Sequence, residues 1–311
     1  MKKVFSTLFL GLTVVAAQAQ DEVFKVLASR GSITTADKAT ISAGKKLYKD
    51  DVVEVGNSAF VGLVHKSGKT LELRAAGSYA VSELAAKVGT SGSSVSERYA
   101  NYVIQEVSKD KESSVKKNHQ QYMAVTGAVT REAKVLTPEV EVKALVPSMT
   151  ELNATQNATF YWHKVPNVKT YVVSVTNLGE EVLFQKETTD TTLTIDFAKV
   201  PVGKAKMCLW HVTAKGHNSK DHKSDKHGLQ IIPTAKAETI NKDLTALKAD
   251  IDPKSSLSKI MLAAFYEDNH MYVDALNAYQ EALKIETNAD YEAMYQNFLY
   301  RAGLTDKPAS H

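Results

Sequence analysis

The sequence predicts a multi-domain chain in which a small all-β region comes first, a β-sandwich follows and an α-helical region ends the chain. Three observations predict this order. Short apolar runs separated by turn residues extend to residue 84, alternating runs recur between residues 139 and 233, and apolar residues follow a helical spacing after residue 234. The 311 residues and the 43% hydrophobic content are enough for two or three domains with buried cores.

Charge and cysteine content exclude three classes of protein. The chain has 38 Lys and Arg residues against 35 Asp and Glu residues, a net charge of +3, and without Lys2 and Lys3 the balance is 36 against 35, or +1. So small a net charge excludes a strongly basic nucleic-acid-binding protein. The single cysteine, Cys208, excludes an intramolecular disulfide framework and a cysteine-rich zinc site, because both need several sulfurs.

Residues 1–19 have the pattern of a secretory signal peptide. Lys2 and Lys3 precede a mostly apolar stretch, Val4–Ala16, and Ala17-Gln18-Ala19 fits a cleavage site built from small residues. The alternative, an N-terminal membrane anchor, needs about 20 uninterrupted apolar residues, and this run is shorter. We therefore expect an exported bacterial protein with no membrane span after signal removal. The periplasm is the favoured location, and the cell surface and secretion are the alternatives.

The first region, residues 20–84, has the pattern of short strands. Four runs carry this pattern: Phe24–Gly31, Gly44–Val55, Ala59–His65 and Thr70–Arg74. The last two flank the turn Lys66-Ser67-Gly68-Lys69, and Leu71 and Leu73 face one way while their polar neighbours face the other. This alternation predicts a half-buried β-hairpin.

Four features of this region together resemble a FecR-like domain: the segment VLASRG, the spacing of Gly44, Leu47 and Asp51, the segment GLVHKSGKTLEL and the segment GSYAVSEL. The resemblance implies a compact periplasmic β domain. Regulators of that family relay a signal from an outer-membrane transporter to a cytoplasmic anti-sigma segment. We expect only the fold and the envelope location here, because the sequence shows no such cytoplasmic segment.

Residues 85–138 have the pattern of a connector with one helix. Gly89–Ser94 is a flexible Gly/Ser run. Within Ser96–Asp110, four apolar residues fall on one helical face: Tyr99, Tyr102, Val103 and Val107. Acidic residues interrupt the lysines of Lys109–Gln121, which favours a solvated surface over a nucleic-acid or membrane contact.

Residues 139–233 have the spacing of an all-β sandwich. Turn residues separate six runs: Thr159–His163, Thr170–Thr176, Glu181–Gln185, Thr191–Phe197, Lys206–Ala214 and Leu229–Ile232. Leu193, Ile195 and Phe197 share one face of their run. Trp162, Tyr171 and the segment VPVGKAKMCLWHVTAKG resemble strands of a fibronectin type III module, which implies an immunoglobulin- or fibronectin-like β-sandwich.

Residues 234–311 are predicted to be α-helical. Within Lys259–Glu286, six positions resemble a tetratricopeptide-like hairpin: Leu262, Ala263, Tyr266, Ala275, Tyr279 and Ala282. Helices over Ala237–Leu247 and Ala289–Ala302 flank it. Since such units need about three copies to bury a continuous core, we expect this one to lean on the sandwich, on a second copy of the chain or on a partner. The sequence therefore predicts an envelope protein partner or self-association through the helical tail.

The residue patterns that resemble catalytic motifs have simpler explanations. Lys66-Ser67-Gly68, Ser113-x-x-Lys116 and Ser256-x-x-Lys259 match two elements of penicillin-recognising serine enzymes, but in the wrong order. Glu180-Glu181 and Asp50-Asp51 flank turns, where solvation explains them. We predict no catalytic residues and no cofactor.

Three histidines spaced five residues apart are weak candidates for metal ligands: His217, His222 and His227. Asp221 and Asp225 lie between them and could share a divalent ion. A step of five residues fits neither a helical face nor a strand face, so an exposed hairpin tip is favoured. Cys208 and His211 lie three residues apart, which places them on opposite faces of a strand and excludes a shared metal.

The order of modules and the lack of known catalytic motifs favour a non-enzymatic exported protein that acts as a protein-binding scaffold or adaptor. The alternative is a glycan- or peptidoglycan-binding protein in which Tyr48, Tyr79 or Tyr161 stacks on sugars. A hydrolase with an unrecognised site is a third hypothesis. It requires carboxylates or histidines that converge in a cleft.

Overall fold

The structure is a computed structural model that describes residues 21–89, 92–108, 142–216 and 221–305. Several predictions lie outside these ranges. They are the signal peptide, the whole charged segment Lys109–Gln121, which includes Ser113 and Lys116, and His217.

The N-terminal part of the chain forms seven strands: β1 Glu22–Arg30, β2 Ile33–Thr35, β3 Lys46–Tyr48, β4 Val52–Val55, β5 Phe60–His65, β6 Thr70–Leu73 and β7 Gly77–Ala80. They build two antiparallel sheets, in the orders β3-β1-β5-β6 and β2-β4-β7. We call these strands the N-terminal β unit. Side chains from both sheets, among them Phe24, Val53 and Leu63, share one apolar core.

Two details of this unit differ from the sequence prediction. The run from Gly44 to Val55 forms two strands, because a carboxylate oxygen of Asp51 accepts a hydrogen bond (2.8 Å) from the backbone N–H of Tyr48 and holds the turn between them. After β7 the chain forms a helix, α1 Val81–Val88, where the sequence predicts the end of the β region and a connector. Val81 and Leu84 of α1 pack into the core of the unit.

The central part of the chain forms eight strands: β8 Met149–Leu152, β9 Asn157–Tyr161, β10 Tyr171–Thr176, β11 Val182–Thr188, β12 Thr192–Asp196, β13 Met207–Ala214, β14 His222–Lys223 and β15 His227–Ile231. Five of them form a sheet in the order β11-β10-β13-β15-β8, and β14 pairs with β13. β9 and β12 form a second, antiparallel sheet. We call these strands the central β unit.

The two sheets of the central β unit enclose an apolar core. Leu193, Ile195 and Phe197 are all buried in it, which confirms the shared face predicted for them. Phe160 stacks on Trp210 with 4.9 Å between the ring centroids. The six predicted runs correspond to β9–β13 and β15. β8 and β14 are missing from the prediction because such short strands hold little periodicity.

Five further α-helices lie in the described residues: α2 Ser94–Ser108, α3 Thr234–Asp250, α4 Ser256–Asp268, α5 Tyr272–Ile285 and α6 Ala289–Arg301. The last four confirm the predicted helical C-terminal region. Residues 269–271 join α4 to α5, and Ala263, Ala275 and Ala282 are fully buried along this pair. Small side chains at such positions let two helix backbones approach closely. No helix in the described ranges is both long and apolar enough to cross a membrane.

The helix α2 packs into the helical core, so of the two forms that the sequence leaves open for the connector, a hinge or a docked helix, this segment has the second. Tyr99 and Val103 of α2 share one apolar cluster with α3–α6 and with Leu27 and Phe60 of the N-terminal sheet. The Nε and Nη2 atoms of Arg301 in α6 donate to Glu267 in α4 at 2.6 and 2.9 Å. The helices and the N-terminal β unit are therefore joined by one continuous core.

Candidate functional site

The polar face of the predicted hairpin β5–β6 meets the helices instead of water. A carboxylate oxygen of Glu72 accepts hydrogen bonds of 2.9 Å from the backbone N–H of Leu257 and from the hydroxyl of Ser256, in the first turn of α4. The first N–H groups of a helix have no partner within the helix. Glu72 therefore acts as a cap supplied by a strand more than 180 residues away in the sequence.

A second carboxylate fastens the same two parts of the chain. Glu286, at the end of α5, accepts hydrogen bonds from Arg30 Nε (2.6 Å) and Arg74 Nη1 (2.7 Å), and the Arg74 guanidinium lies over the Phe60 ring. Burial acts to raise the pKa of Glu286, but the hydrogen bonds and charges of the two arginines lower it below its ordinary value. Glu286 is thus held as an anion between two strands and a helix.

The central β unit is fixed to the helices through the loop between α4 and α5. The carbonyl oxygen of His270 accepts hydrogen bonds from the backbone N–H of Glu151 (2.9 Å) and from the hydroxyl of Thr150 (3.1 Å). The Tyr161 hydroxyl donates to the side-chain oxygen of Asn277 in α5 at 2.6 Å. One edge of the five-stranded sheet, the β8 edge, is thereby covered by the protein itself.

A cleft of 580 Å³ lies where the two-stranded sheet faces the helices. We call it the junctional cleft. The central β unit lines it with uncharged polar side chains: Thr155, Gln156, Asn157, Thr159 and Thr194. The helices contribute Lys248, Tyr266, Asp274 and Asn277. This volume falls within the range of about 300–1,000 Å³ that is usual for small-molecule sites.

The pKa of Asp274, in the wall of this cleft, is strongly shifted. Burial raises the pKa of the Asp274 carboxyl to about 7, although the charge of Lys248 acts to lower it. Burial and the charges of Asp274 and Glu281 also raise the pKa of Tyr266. The cleft therefore holds a neutral tyrosine beside a carboxyl group that changes its protonation near neutral pH.

The β11 strand is the other edge of the five-stranded sheet, and among the described strands it pairs only with β10. Two large apolar side chains beside it are exposed, Leu178 at 66% and Val182 at 55%. An edge strand presents backbone N–H and C=O groups that can pair with an extended peptide. We call β11 together with Leu178 the open edge.

Two of the three patterns that resemble motifs of serine enzymes lie in the described part of the chain, and their serines have hydrogen-bond partners there. Lys66-Ser67-Gly68 lies in the turn between β5 and β6, where His65 Nδ1 is 2.8 Å from Ser67 Oγ and accepts from the Ser67 N–H at 3.2 Å. Ser256 Oγ donates to Glu72, and Lys259 pairs with Glu281 at 2.6 Å. The structure does not bring these motifs together in one cleft.

Two of the three candidate metal-binding histidines can be placed. His222 lies opposite Ala214 on β13, and His227 lies opposite Trp210, four residues further along the same strand. Four residues of a strand span about 13 Å, so the two imidazoles do not converge on one ion. His227 Nδ1 instead lies 3.0 Å from the carbonyl oxygen of Pro147. Among the described residues, no group of three potential ligands could hold a metal.

The aromatic and sulfur candidates are spread over the structure. Tyr48, Tyr79 and Tyr161 lie in three different sheets, and the Tyr79 hydroxyl donates to the carbonyl oxygen of Ala75 at 2.8 Å. Cys208 is fully buried in the central core, and burial raises the pKa of its thiol. His211 is half-buried, and its position three residues along β13 places it on the opposite face.

Sequence reasoning missed the junctional cleft and the open edge. Acidic residues are common in the first turn of a helix, so the local sequence around Asp274 does not indicate a binding site. Val182 falls within a predicted strand, but edge position depends on strand order, which the sequence does not state. No protein-family model matches this chain, and no curated protein matches it.

Proposed function

We propose that this chain is a non-enzymatic, exported envelope protein that acts as a rigid scaffold for a protein partner. The leader, the FecR-like features and the fibronectin-like features of the sequence support export and an envelope location. The contacts of Glu72, Glu286 and His270 support rigidity, because they tie both β units to the helices. A scaffold must hold its binding surfaces in a fixed arrangement.

The open edge is the observation that carries the proposal. Val182, the first residue of β11, and Leu178, in the turn before it, are exposed, whereas the opposite edge of the same sheet is covered by the loop at His270. The occupant we propose is an extended segment of an envelope protein that adds a strand to β11. Lys186 and Glu187 are exposed within the strand, so a segment with opposite charges at the facing positions is favoured.

The helical tail, residues 234–311, is a weaker candidate for the partner-docking element than the sequence suggests. Its apolar side chains share a core with Tyr99 and Val103 of α2 and with Leu27, Phe60 and Val64 of the N-terminal sheet. We expected the sandwich, a second copy of the chain or a partner to cover these helices, and α2 and the N-terminal β unit cover much of them. Deleting the tail would also expose that core, so deletion is a poor test of docking.

Site-specific crosslinking in native cells tests the proposal. Val182→p-benzoylphenylalanine should crosslink to one envelope protein, and the matched variant Glu238→p-benzoylphenylalanine, at an exposed helical position, should not. Mass spectrometry then identifies the crosslinked segment of the partner. A synthetic peptide of that segment should bind the purified full chain and lose about tenfold or more in affinity to the variant Val182→Lys.

Two results would overturn this function. Equal crosslinking from positions 182 and 238 would mean that the open edge has no specific partner. Crosslinking of position 182 only to a second copy of the chain would replace the adaptor with a self-assembling protein. Glycan binding through Tyr48, Tyr79 or Tyr161, which lie in three different sheets, stays a prediction.

A further inference from the structure

We propose that the junctional cleft binds a neutral saccharide chain that carries hydroxyl and acetamido groups. This inference goes beyond the scaffold function and concerns a different surface. The cleft lies between β9, β12 and the helices, whereas the open edge lies on β11 in the other sheet of the central β unit. Each proposal can therefore fail without the other.

The hydrogen-bonding character of the lining indicates the class of ligand. Most of the polar side chains are amides and hydroxyls, which can both donate and accept hydrogen bonds. The hydroxyls of Thr159 and Thr194 are 2.9 Å apart, and Gln156 Nε2 donates to Asn241 at 2.7 Å, which leaves the Gln156 carbonyl oxygen as an acceptor. Sugar hydroxyls and acetamido groups also donate and accept, so they complement this lining.

The charges in the cleft argue against an anionic or cationic ligand. Among the described residues that line it, Lys248 is the single basic side chain and Asp274 the single acidic one. A phosphate or carboxylate ligand can only accept hydrogen bonds and would face the Asp274 carboxyl as well as Lys248. A cationic ligand would be repelled by the charge of Lys248. An uncharged ligand avoids both conflicts.

Asp274 and Tyr266 supply the two contacts that would orient a sugar ring. The Asp274 carboxyl is half-buried and lines the cleft with two acceptor oxygens. It therefore keeps acceptor capacity for a ligand hydroxyl. Tyr266 is half-buried and lines the same cleft, and we infer that its ring packs against the apolar side of a sugar ring.

The walls of the cleft are held in place before any ligand arrives. Asn241 in α3 accepts hydrogen bonds from both Asn153 (2.8 Å) and Gln156 (2.7 Å), and Tyr161 donates to Asn277. These bonds link the turn between β8 and β9, the two-stranded sheet and α5. A preorganised site loses less conformational entropy when it binds.

Calorimetric titration of the full chain with chitohexaose, an acetamido saccharide, tests the inference. Wild type should bind it, Thr194→Arg should weaken binding about tenfold or more by filling the cleft, and Asp274→Asn should weaken it about threefold. The control Thr189→Arg places the same side chain at an exposed threonine outside the cleft and should bind like wild type.

Thermal unfolding of each variant shows whether it is folded, and we expect a single cooperative transition for each. A loss of binding can then be attributed to the cleft. Absence of chitohexaose binding to wild type, or equal binding by Thr194→Arg, would overturn the inference. Binding of a Gly/Ser hexapeptide without chitohexaose binding would also overturn it. Crosslinking from position 182 should be unchanged in Thr194→Arg, which separates this result from the scaffold function.

Discussion

Replacing Glu72 by alanine should destabilise the protein through the helix that Glu72 caps. The side chain of Glu72 is 8% exposed, and one of its oxygens accepts hydrogen bonds from the Leu257 N–H and the Ser256 hydroxyl, both at 2.9 Å. Leu257 is fully buried, so water cannot easily replace the lost partner of its N–H. An unsatisfied buried donor costs about 1–3 kcal/mol.

A smaller contribution comes from the charge of Glu72. An anion at a helix N-terminus stabilises the protein by about 0.3–1 kcal/mol. The expected loss for Glu72→Ala is therefore about 1–4 kcal/mol in the free energy of unfolding. Glu72→Gln keeps an acceptor oxygen and removes only the charge, so it should lose about 1 kcal/mol or less.

Urea unfolding of the full chain, followed by circular dichroism, measures both variants. Glu187→Ala is the matched control, because Glu187 is also a strand glutamate but is exposed. It should change the free energy of unfolding by about 0.5 kcal/mol or less. The reasoning fails if Glu72→Ala and Glu187→Ala unfold at the same urea concentration with the same slope, since the cap would then contribute nothing measurable.

Three further substitutions or probes have expected outcomes. Gly68 has φ +84°, and a Cβ there would lie 2.3 Å from the backbone nitrogen of Glu97, so Gly68→Ala should lower the free energy of unfolding in urea by about 2 kcal/mol or more. The control Gly203→Ala, at φ +56° with open space around it, should lower it by about 1 kcal/mol, and equal losses would contradict the close approach at Gly68. The Cys208 thiol should react with Ellman's reagent only after unfolding, because it is fully buried and burial raises its pKa; rapid reaction of the native protein would contradict this. The pKa of Asp274 is raised from 3.8 to about 7, so the folded state holds a proton that the unfolded state releases, and stability falls as pH rises between these values. The free energy of unfolding of Asp274→Asn should equal that of wild type near pH 4 and exceed it by about 1–2 kcal/mol at pH 8. This value is smaller than the full energy of the pKa shift because the carboxyl is half-buried, and parallel pH profiles of the two proteins would contradict the expectation.

Much of the secondary structure could be predicted because its signals are local. The alternation around Leu193 and Ile195 and the small residues at Ala263 and Ala275 reflect contacts that recur every two or every three to four residues. Strands and helices are therefore visible wherever a run is long enough. The helix α1 was missed because eight residues at the end of a β region give a weak signal.

The assignment of faces could be predicted only in part. The sequence shows that Glu72 and Arg74 lie opposite Leu71 and Leu73 on β6, but it does not show what the polar face meets. In the structure that face caps α4 and pairs with Glu286. A polar residue on a strand has the same local pattern whether it faces water or a helix end.

By itself, the sequence determined the order of β-rich and helical parts, the bounds of most elements and the apolar faces that form their cores. Only the tertiary structure decided that α2 joins the helical core, that the β8 edge is covered while the β11 edge is open, and that Asp274 lines a polar cleft. The strands, the helices and their apolar faces depend on residues a few positions apart in the sequence. These three features depend on contacts between residues that can be more than 100 positions apart, such as Tyr161 with Asn277, and no local pattern encodes such contacts.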